Sequence, residues 1–267
     1  MTEAPVYEVF AIRYATRDGK RRDMVLGGDP HDADMPMDYY IWLIRNAGRV
    51  VLVDTGFNVD MAAKRNRTLL RVPADGLRML GVEPGDIGDV IITHMHNDHV
   101  GTLEDFPRAR FHLQDDEMAF ATGRMMCHQR FRRSYEVDHV TGMVRMVFND
   151  RVVFHKGEGG VAPGITVHHV GGHTPGMQVV RVRTRRGWVV LASDASHYYE
   201  HFEKSQCFPV VYDMGDLLEG YALLRRLAEG SLRHIVPGHD PLVMRRYPPA
   251  GPGLEDIAVR LDVDPRQ

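Results

Sequence analysis

The sequence His94-Met95-His96-Asn97-Asp98-His99 places three imidazoles and one carboxylate within six residues. Side chains this close together cannot all point in one direction from a strand or a helix, but a tight loop can bring them together. The apolar run Val90 to Ile92 precedes the motif and predicts a buried strand that fixes where the loop begins. Imidazole and carboxylate ligands together suit zinc and other first-row divalent ions. The motif therefore predicts a metal-binding loop at the end of a strand.

Three more side chains of metal-ligand type follow other apolar runs in the same manner. Asp194 follows Trp188 to Ala192, His239 follows Ile235-Val236, and His173 follows Val167 to Val170. Glycines next to the two histidines allow the backbone to turn close to an ion. Because four predicted strands each deliver such side chains at their C-terminal ends, we expect all of them to converge on one site.

Short β-branched runs alternate with amphipathic segments along the chain. Predicted strands are Tyr7 to Tyr14, Tyr39 to Ile44, Val50 to Val53, Val90 to Ile92, Val152 to Phe154, Ile165 to Val167, Trp188 to Leu191 and Ile235-Val236. Predicted helices are Ala74 to Leu80, Asp115 to Thr122 and Asp213 to Glu229. Because strands and helices interleave, the fold class is α/β, and we expect one domain over residues 1–267. We interpret residues 124–148 as an irregular, lid-like insertion and residues 247–267 as a tail.

The composition argues against several classes of protein. A net charge of -3 over 267 residues does not provide the basic field that non-specific nucleic-acid binding needs. No stretch approaches the roughly 18 apolar residues of a membrane span, and the N-terminus from Met1 to Pro5 shows no signal peptide. Cys127 and Cys207 are the only cysteines, and we expect both to be free thiols. We therefore expect a cytoplasmic protein with neither a nucleic-acid nor a membrane partner.

The motif set His94-x-His96-x-Asp98-His99, His173, Asp194 and His239 resembles that of the metallo-β-lactamase superfamily, and the resemblance covers nearly the whole chain. It implies an αββα sandwich of two mixed sheets with outer helices and the metals at one edge. It also implies two metal ions, one held by His94, His96 and His173, the other by Asp98, His99 and His239, with Asp194 joining both. We expect zinc, with iron, manganese and cobalt as alternatives, because such ligands follow metal availability as much as affinity.

Within the superfamily the chain looks most like the N-acyl homoserine lactonases. The shared features are Asp54-Thr55-Gly56, Gly172-His173-Thr174-Pro175-Gly176 and Asp194-Ala195-Ser196. These lactonases typically carry a tyrosine three residues after the bridging aspartate, where its hydroxyl contacts the substrate carbonyl. This chain has His197 at that position, followed by Tyr198. We therefore expect either His197 or Tyr198 to supply the donor.

The resemblance predicts a dinuclear-metal hydrolase that opens lactone rings, N-acyl homoserine lactones above all, by attack of a metal-bridging hydroxide. Asp98 would orient the nucleophile and pass a proton to the leaving oxygen. Asp54 and Thr55 would orient ligand histidines. His31 and Phe57 are predicted to border the substrate.

Other functions use the same metal ligands. A glyoxalase II-like thioesterase is the nearest alternative, although its basic glutathione-binding residues are not identifiable in the sequence, and another metal-dependent ester hydrolase also fits. The net charge argues against a phosphodiesterase or nuclease. The arginines of the insertion are compatible with a solvated face, a homodimer contact or selection of a carboxylated substrate; they are Arg124, Arg130, Arg132, Arg133 and Arg145.

Overall fold

Two β-sheets pack against each other in this chain, for which a computed structural model describes residues 4–31 and 33–266. Within these residues the strands are β1 Glu8–Arg17, β2 Met37–Asn46, β3 Arg49–Val53, β4 Thr68–Leu69, β5 Asp89–Ile91, β6 Arg110–Gln114, β7 Val152–His155, β8 Glu158–Ala162, β9 Ile165–His169, β10 Gln178–Thr184, β11 Gly187–Ser193, β12 Ile235–Pro237 and β13 Ala258–Arg260. The α-helices are α1 Arg21–Met24, α2 Val59–Lys64, α3 Pro73–Met79, α4 Asp115–Ala121, α5 Gln129–Arg132, α6 Val137–Phe148, α7 Tyr199–Lys204, α8 Met214–Leu227 and α9 Leu242–Arg246. Met1 to Glu3, which belong to the segment searched for a signal peptide, and Gln267, the end of the predicted tail, lie outside the described residues.

The larger sheet is mixed and has the strand order β13-β1-β2-β3-β5-β6-β7, with β4 also paired to β1. The strands β3, β5, β6 and β7 run parallel, and the others are antiparallel. Parallel strands are usually covered on both faces, which agrees with the fully buried Val51, Leu52 and Val90. The loop that follows β5 therefore starts from a rigid, buried strand.

The smaller sheet has the strand order β12-β11-β10-β9-β8, with β11 and β12 parallel. Helix α8 covers it, because Leu217, Tyr221 and Leu224 recur at helical spacing and are all buried. Asp213 caps the N-terminus of this helix, because its side chain accepts a hydrogen bond from the Asp216 backbone N–H.

Apolar side chains of both sheets form the core between them. Trp42 and Val53 of the larger sheet belong to the same buried cluster as Val180 and Val190 of the smaller sheet. A second cluster lies on the other face of the larger sheet, where Leu52 packs with residues of α3 and α6. The layers therefore run helix, sheet, sheet, helix, and the expected αββα sandwich is confirmed.

The structure differs from the sequence-based prediction in several segments. Strands β6, β8 and β10 are not predicted, because their sequences mix apolar residues with arginine, histidine or glycine and contain no continuous apolar run. Residues 124–148 are helical rather than irregular, with Val140 and Met143 on the buried side of α6. Residues 247–267 are more than a tail, because β13 pairs with β1 as an edge strand of the larger sheet.

None of the helices in the described ranges has both the length and the apolar character that a membrane span requires. Cys127 and Cys207 are free thiols, as expected.

Candidate metal centre

The ends of strands from both sheets meet at one edge of the sandwich. The larger sheet contributes the loop after β5, and the smaller sheet contributes the residues after β9, β11 and β12. The structure brings together all seven predicted ligands there, and all except the partly exposed Asp98 are buried: His94, His96, Asp98, His99, His173, Asp194 and His239.

The Asp194 carboxylate lies between two groups of imidazoles. Its Oδ2 atom is 3.3 Å from His173 Nε2 and 3.9 Å from His94 Nε2. Its Oδ1 atom faces the other way, 3.4 Å from His99 Nε2 and 3.0 Å from His239 Nε2. Each oxygen of one carboxylate therefore joins a different pair of histidines.

The ligand atoms form two clusters that share Asp194. Those of His94, His96 and His173 lie within 4.8 Å of one another, and so do those of Asp98, His99 and His239. Ligands about 2.1 Å from a tetrahedral ion lie about 3.4 Å apart. The separations around Asp194 have this size, so each cluster has room for one ion.

Buried nitrogens without partners support the same interpretation. His94 Nε2 and His99 Nε2 are buried and make no hydrogen bond to any described residue. His96 Nδ1 and His173 Nε2 face each other at 2.9 Å. Leaving buried polar atoms unpaired costs free energy, and a cation between them removes that cost. The residues at this edge therefore fit metal ions.

Hydrogen bonds at the opposite ring nitrogens orient three of these imidazoles. Nδ1 of His173 lies 2.6 Å from the carbonyl oxygen of Val210, and Nδ1 of His239 lies 2.9 Å from that of Asp38. Because a carbonyl oxygen only accepts, each Nδ1 carries a proton, and Nε2 is the ring nitrogen left to bind a metal ion. His99 Nδ1 contacts Asp54 Oδ2 at 2.7 Å in the same way, as expected for Asp54.

Burial and carboxylates divide the histidines into two electrostatic classes. Burial lowers the pKa of His94 and His96 well below its usual range, and it also lowers the pKa of His173. These rings are therefore neutral at physiological pH, the form that binds metal. Although burial acts in the opposite direction, Asp194 and Asp98 raise the pKa of His99 and His239. The carboxylates thus favour positive charge in that half of the site.

A buried network around Asp54 connects the two sheets behind the ligands. Asp54 has a φ of 59°, which is unusual for a residue other than glycine. Its carboxylate accepts hydrogen bonds from the Thr93 backbone N–H at 2.7 Å and from the Thr93 hydroxyl at 2.8 Å. The Thr93 hydroxyl is 2.9 Å from that of Ser193, which ends β11 in the other sheet. Thr55 instead stabilises the backbone of the loop after β5, because its N–H donates to the carbonyl oxygen of His99.

Glu117 is a second supporting residue, and no pattern in the sequence predicts it. Its buried carboxylate accepts hydrogen bonds from the Met95 backbone N–H at 2.8 Å, the Tyr135 hydroxyl at 2.8 Å and the Thr174 hydroxyl at 2.6 Å. These donors belong to the loop after β5, the 124–148 segment and the loop after β9. One side chain of α4 therefore holds together the two loops that present His94, His96 and His173.

The two residues predicted to supply the donor have different surroundings. His197 lies beside the centre, with Nε2 at 3.1 Å from Asp194 Oδ2 and its ring stacked on Phe208 at 3.9 Å. Burial lowers the pKa of His197 to about 3, so its ring is neutral. The Tyr198 hydroxyl instead donates to the backbone carbonyls of Met35 and Pro36. The Tyr198 side chain thus lines a different cavity from the one at the predicted ligands.

The ligands open into a cavity of about 300 Å³. Tyr39, which the sequence analysis treats only as a strand residue, forms part of its wall and packs edge-on against His239 at 5.0 Å. Within the described residues the Tyr39 hydroxyl has no hydrogen-bond partner. Arginines also line this cavity: Arg17, Arg65, Arg67 and Arg133.

The two residues predicted to border the substrate do not line this cavity. His31 is exposed on a loop, where its ring contacts Asp29. Phe57 is buried behind the wall, with its ring 5.4 Å from that of Tyr39. Phe57 therefore supports a cavity residue rather than forming the surface itself.

Comparisons with known proteins agree with this geometry. The sequence model of the metallo-beta-lactamase superfamily matches residues 35–239. N-acyl homoserine lactonase AiiB of Agrobacterium fabrum is 29% identical over 224 residues, which cover 78% of this chain and 80% of the relative. The crystal structure of a quorum-quenching N-acyl homoserine lactone lactonase has a TM-score of 0.75 at 22% identity, covering 90% of this chain and 95% of that one. AidC, a dizinc quorum-quenching lactonase, has a TM-score of 0.68 at 16% identity, covering 90% and 89%.

Proposed function

The chain belongs to the metallo-beta-lactamase superfamily, and from that premise we propose that it is a metal-dependent hydrolase that opens lactone rings. N-acyl homoserine lactones are the first class to test, because the relatives described above are named for their action on them. The substrate is a small molecule, and neither nucleic acid nor a membrane takes part. We place the activity in the cytoplasm.

The observation that carries the proposal is the position of Asp194, whose two oxygens face different pairs of imidazoles. On this basis His94, His96 and His173 would hold one ion, and Asp98, His99 and His239 would hold the other, with Asp194 shared between them. Zinc is our proposed metal, in keeping with the dizinc relative, and iron, manganese and cobalt suit the same ligand types.

Two divalent ions held in this way would supply a nucleophile at neutral pH and polarise an ester carbonyl. The chain's own residues then orient the reactants and move protons. Asp98 is the one ligand that is partly exposed, and its Oδ2 lies 3.6 Å from His99 Nε2. Its second oxygen, which has no ion pair with any described residue, would accept a proton from the attacking water and return it to the leaving alkoxide oxygen.

Tyr39 is our proposed donor to the substrate carbonyl. Burial raises the pKa of Tyr39 to about 12, so the hydroxyl is protonated and can donate. His197 is a positioning residue, because its Nε2 is already directed at Asp194 Oδ2. The resemblance places this donor at the position of His197. In this chain it would instead be Tyr39, on strand β2 of the larger sheet.

The proposal is tested by steady-state hydrolysis, followed with a pH indicator, using zinc-loaded enzyme. The substrates are a short and a long N-acyl homoserine lactone, a γ-lactone, a glutathione thioester and a phosphodiester. The Asp194→Ala variant provides the blank. We expect metal-dependent opening of the lactones and no turnover by the variant.

Two other outcomes would change the assignment. Turnover of the thioester alone would replace lactonase by glyoxalase II-like thioesterase, and turnover of the diester alone would point to phosphodiester hydrolysis. In either case the proposed ligands would keep their roles while the substrate class would be wrong.

A further inference from the structure

Four arginines surround the cavity that the metal ligands share. Arg17 ends β1, Arg65 and Arg67 follow α2, and Arg133 follows α5 in the 124–148 segment. Arg17, Arg65 and Arg67 are partly buried, and Arg133 is exposed. Three separate parts of the chain thus place guanidinium groups around one opening, a set that we call the arginine rim.

Only one rim arginine has a carboxylate partner among the described residues. Arg65 pairs with Glu136. Arg17 contacts the sulfur atoms of Met24 and Met37. Arg67 donates to the backbone carbonyls of Arg65 and Asn66, and its guanidinium lies 5.8 Å from the centre of the Tyr39 ring.

Partly buried arginines outside the rim differ in this respect. Arg13 pairs with Asp38, Arg21 with Glu200 and Arg260 with Asp262. Arg151 and Arg186 also donate only to carbonyl or hydroxyl oxygens, but neither lines the cavity. Acidic residues are also in excess, with a net charge of -3. A shortage of carboxylates therefore does not explain why Arg17, Arg67 and Arg133 have none.

The acidic groups inside the cavity do not neutralise the rim. They are Asp98 and Asp194, whose oxygens face the imidazoles of the metal centre. In the proposed function both carboxylates bind metal ions. The remaining charged side chains around the cavity are arginines, and their positive field attracts an anion and raises its local concentration.

We propose, building on the proposed lactonase function, that the natural lactone carries a carboxylate and that Arg17 and Arg67 bind it. A planar guanidinium matches a carboxylate in two parallel hydrogen bonds, and such charge-assisted bonds are stronger than neutral ones. A neutral ring with a neutral substituent would leave these two arginines without an anionic partner.

The neighbouring apolar space supports the same substrate class. Phe120, Phe131, Tyr135 and Tyr212 surround a side pocket next to His96 and His173, but its volume is only about 20 Å³. That is room for about one water molecule, so this side pocket cannot hold a long alkyl chain. A short substituent with a charged end fits the cavity better than a long apolar one.

The test compares matched lactones that differ only in charge. One pair is γ-butyrolactone bearing a γ-carboxylate or a γ-carboxamide. The other is N-acyl homoserine lactone with a four-carbon acyl chain ending in carboxylate or in carboxamide. Each pair is assayed with zinc-loaded wild-type enzyme, with Arg17→Gln and with Arg67→Gln. Arg145→Gln, at an exposed position of α6 that is not part of the cavity wall, is the matched control.

We expect the wild type to prefer the carboxylate in at least one pair by about tenfold or more in kcat/KM, as charge-assisted hydrogen bonds allow. Arg17→Gln and Arg67→Gln should bring that ratio toward one, mainly through KM, and Arg145→Gln should leave it unchanged. Zinc content and melting temperature of each variant report whether the centre and the fold remain intact.

The inference and the function on which it rests fail in different ways. If the neutral lactones open rapidly and the rim variants do not change the charge ratio, the carboxylate inference is wrong and lactonase activity stands. If no lactone opens, the proposed function is wrong. Calorimetric titration with the ring-opened dicarboxylate then tests the arginine rim alone. Equal affinity of wild type, Arg17→Gln and Arg67→Gln would show that the rim is not a carboxylate site. Binding about tenfold weaker in either variant would support the carboxylate site.

Discussion

The Met95 backbone N–H donates a hydrogen bond of 2.8 Å to the buried carboxylate of Glu117. Met95 lies between His94 and His96, and its side chain is fully buried. A residue of α4 thereby fixes the backbone between two proposed ligands of the same ion. The carboxylate accepts from two further loops at the same time, so the position of the ligands depends on a single acceptor group.

Replacing Glu117 by glutamine should loosen the metal centre without removing any ligand. The amide has one acceptor oxygen, so at least one of the three donors would face an NH2 group. We expect a loss of about 1–3 kcal/mol in the free energy of unfolding and weaker zinc retention. Calorimetry and competition with a chelator measure the two effects. Glu219→Gln, on the exposed face of α8, is the control, and equal stability of the two variants would contradict the role of Glu117.

Asp54→Asn should weaken the binding of the metal ion that we assign to His99. Asparagine can place its NH2 group opposite the His99 Nδ1–H, which removes the acceptor that orients the ring. Loss of such a supporting group typically lowers metal affinity by about 10- to 100-fold. Metal titration should show one site weakened more than the other. The exposed Asp60→Asn is the matched control, and unchanged affinity at both sites would contradict the prediction.

Asp194→Ala should lose bound metal, whereas Asp98→Asn should lose turnover. Asp194→Ala removes the carboxylate between the two clusters, so the number of bound ions per chain should fall. Asp98→Asn keeps an oxygen ligand but removes the proposed proton acceptor, so turnover should drop by about 100- to 10,000-fold while most of the metal remains. Elemental analysis and kcat measure the two properties. Full turnover by Asp98→Asn with both ions bound would show that the proton-transfer role is wrong.

Tyr39→Phe should lower kcat much more than it changes KM. It removes only the hydroxyl proposed to bind the developing oxyanion, and loss of one such donor typically costs about 100- to 1,000-fold in kcat. Tyr198→Phe is the matched control, because its hydroxyl serves the backbone of Met35 and Pro36. A larger loss of kcat in Tyr198→Phe than in Tyr39→Phe would reverse the two assignments.

The stability of the fold should decrease in mild acid because of His201. Burial lowers the pKa of His201 to about 4, whereas a histidine in an unfolded chain has a pKa of about 6.5. Between these values the unfolded state binds a proton that the folded state does not, so the free energy of unfolding falls as the pH is lowered. The difference is on the order of 2 kcal/mol between pH 7 and pH 4.5. Denaturant titrations of wild type and His201→Phe should show a smaller pH dependence in the variant, and parallel curves would contradict the prediction.

The sequence predicts which seven side chains meet at this edge of the sandwich, because they lie in short motifs directly after apolar strands. His94 to His99 form one loop, and the fold places the remaining ligand types at the same edge. Tyr39 could not be predicted in this way, because nothing local distinguishes it from other strand aromatics. Glu117 and the arginine rim depend on contacts between loops far apart in the chain, such as Glu117 with Thr174. Tertiary packing decides which loop each of these carboxylates or guanidinium groups faces. The local sequence pattern does not predict that choice.

The division of the proposed ligands between two sheets has a consequence for synthesis of the protein. The loop after β5 is made early, but Asp194 and His239 follow strands that are made much later. A growing chain therefore has two of the four proposed ligands of each ion when this loop is made. The ligands of the first ion are complete at Asp194, and those of the second only at His239. Binding of the second ion would then be a late step in the formation of the protein. Chains that stop before His239 would be released without a complete metal centre.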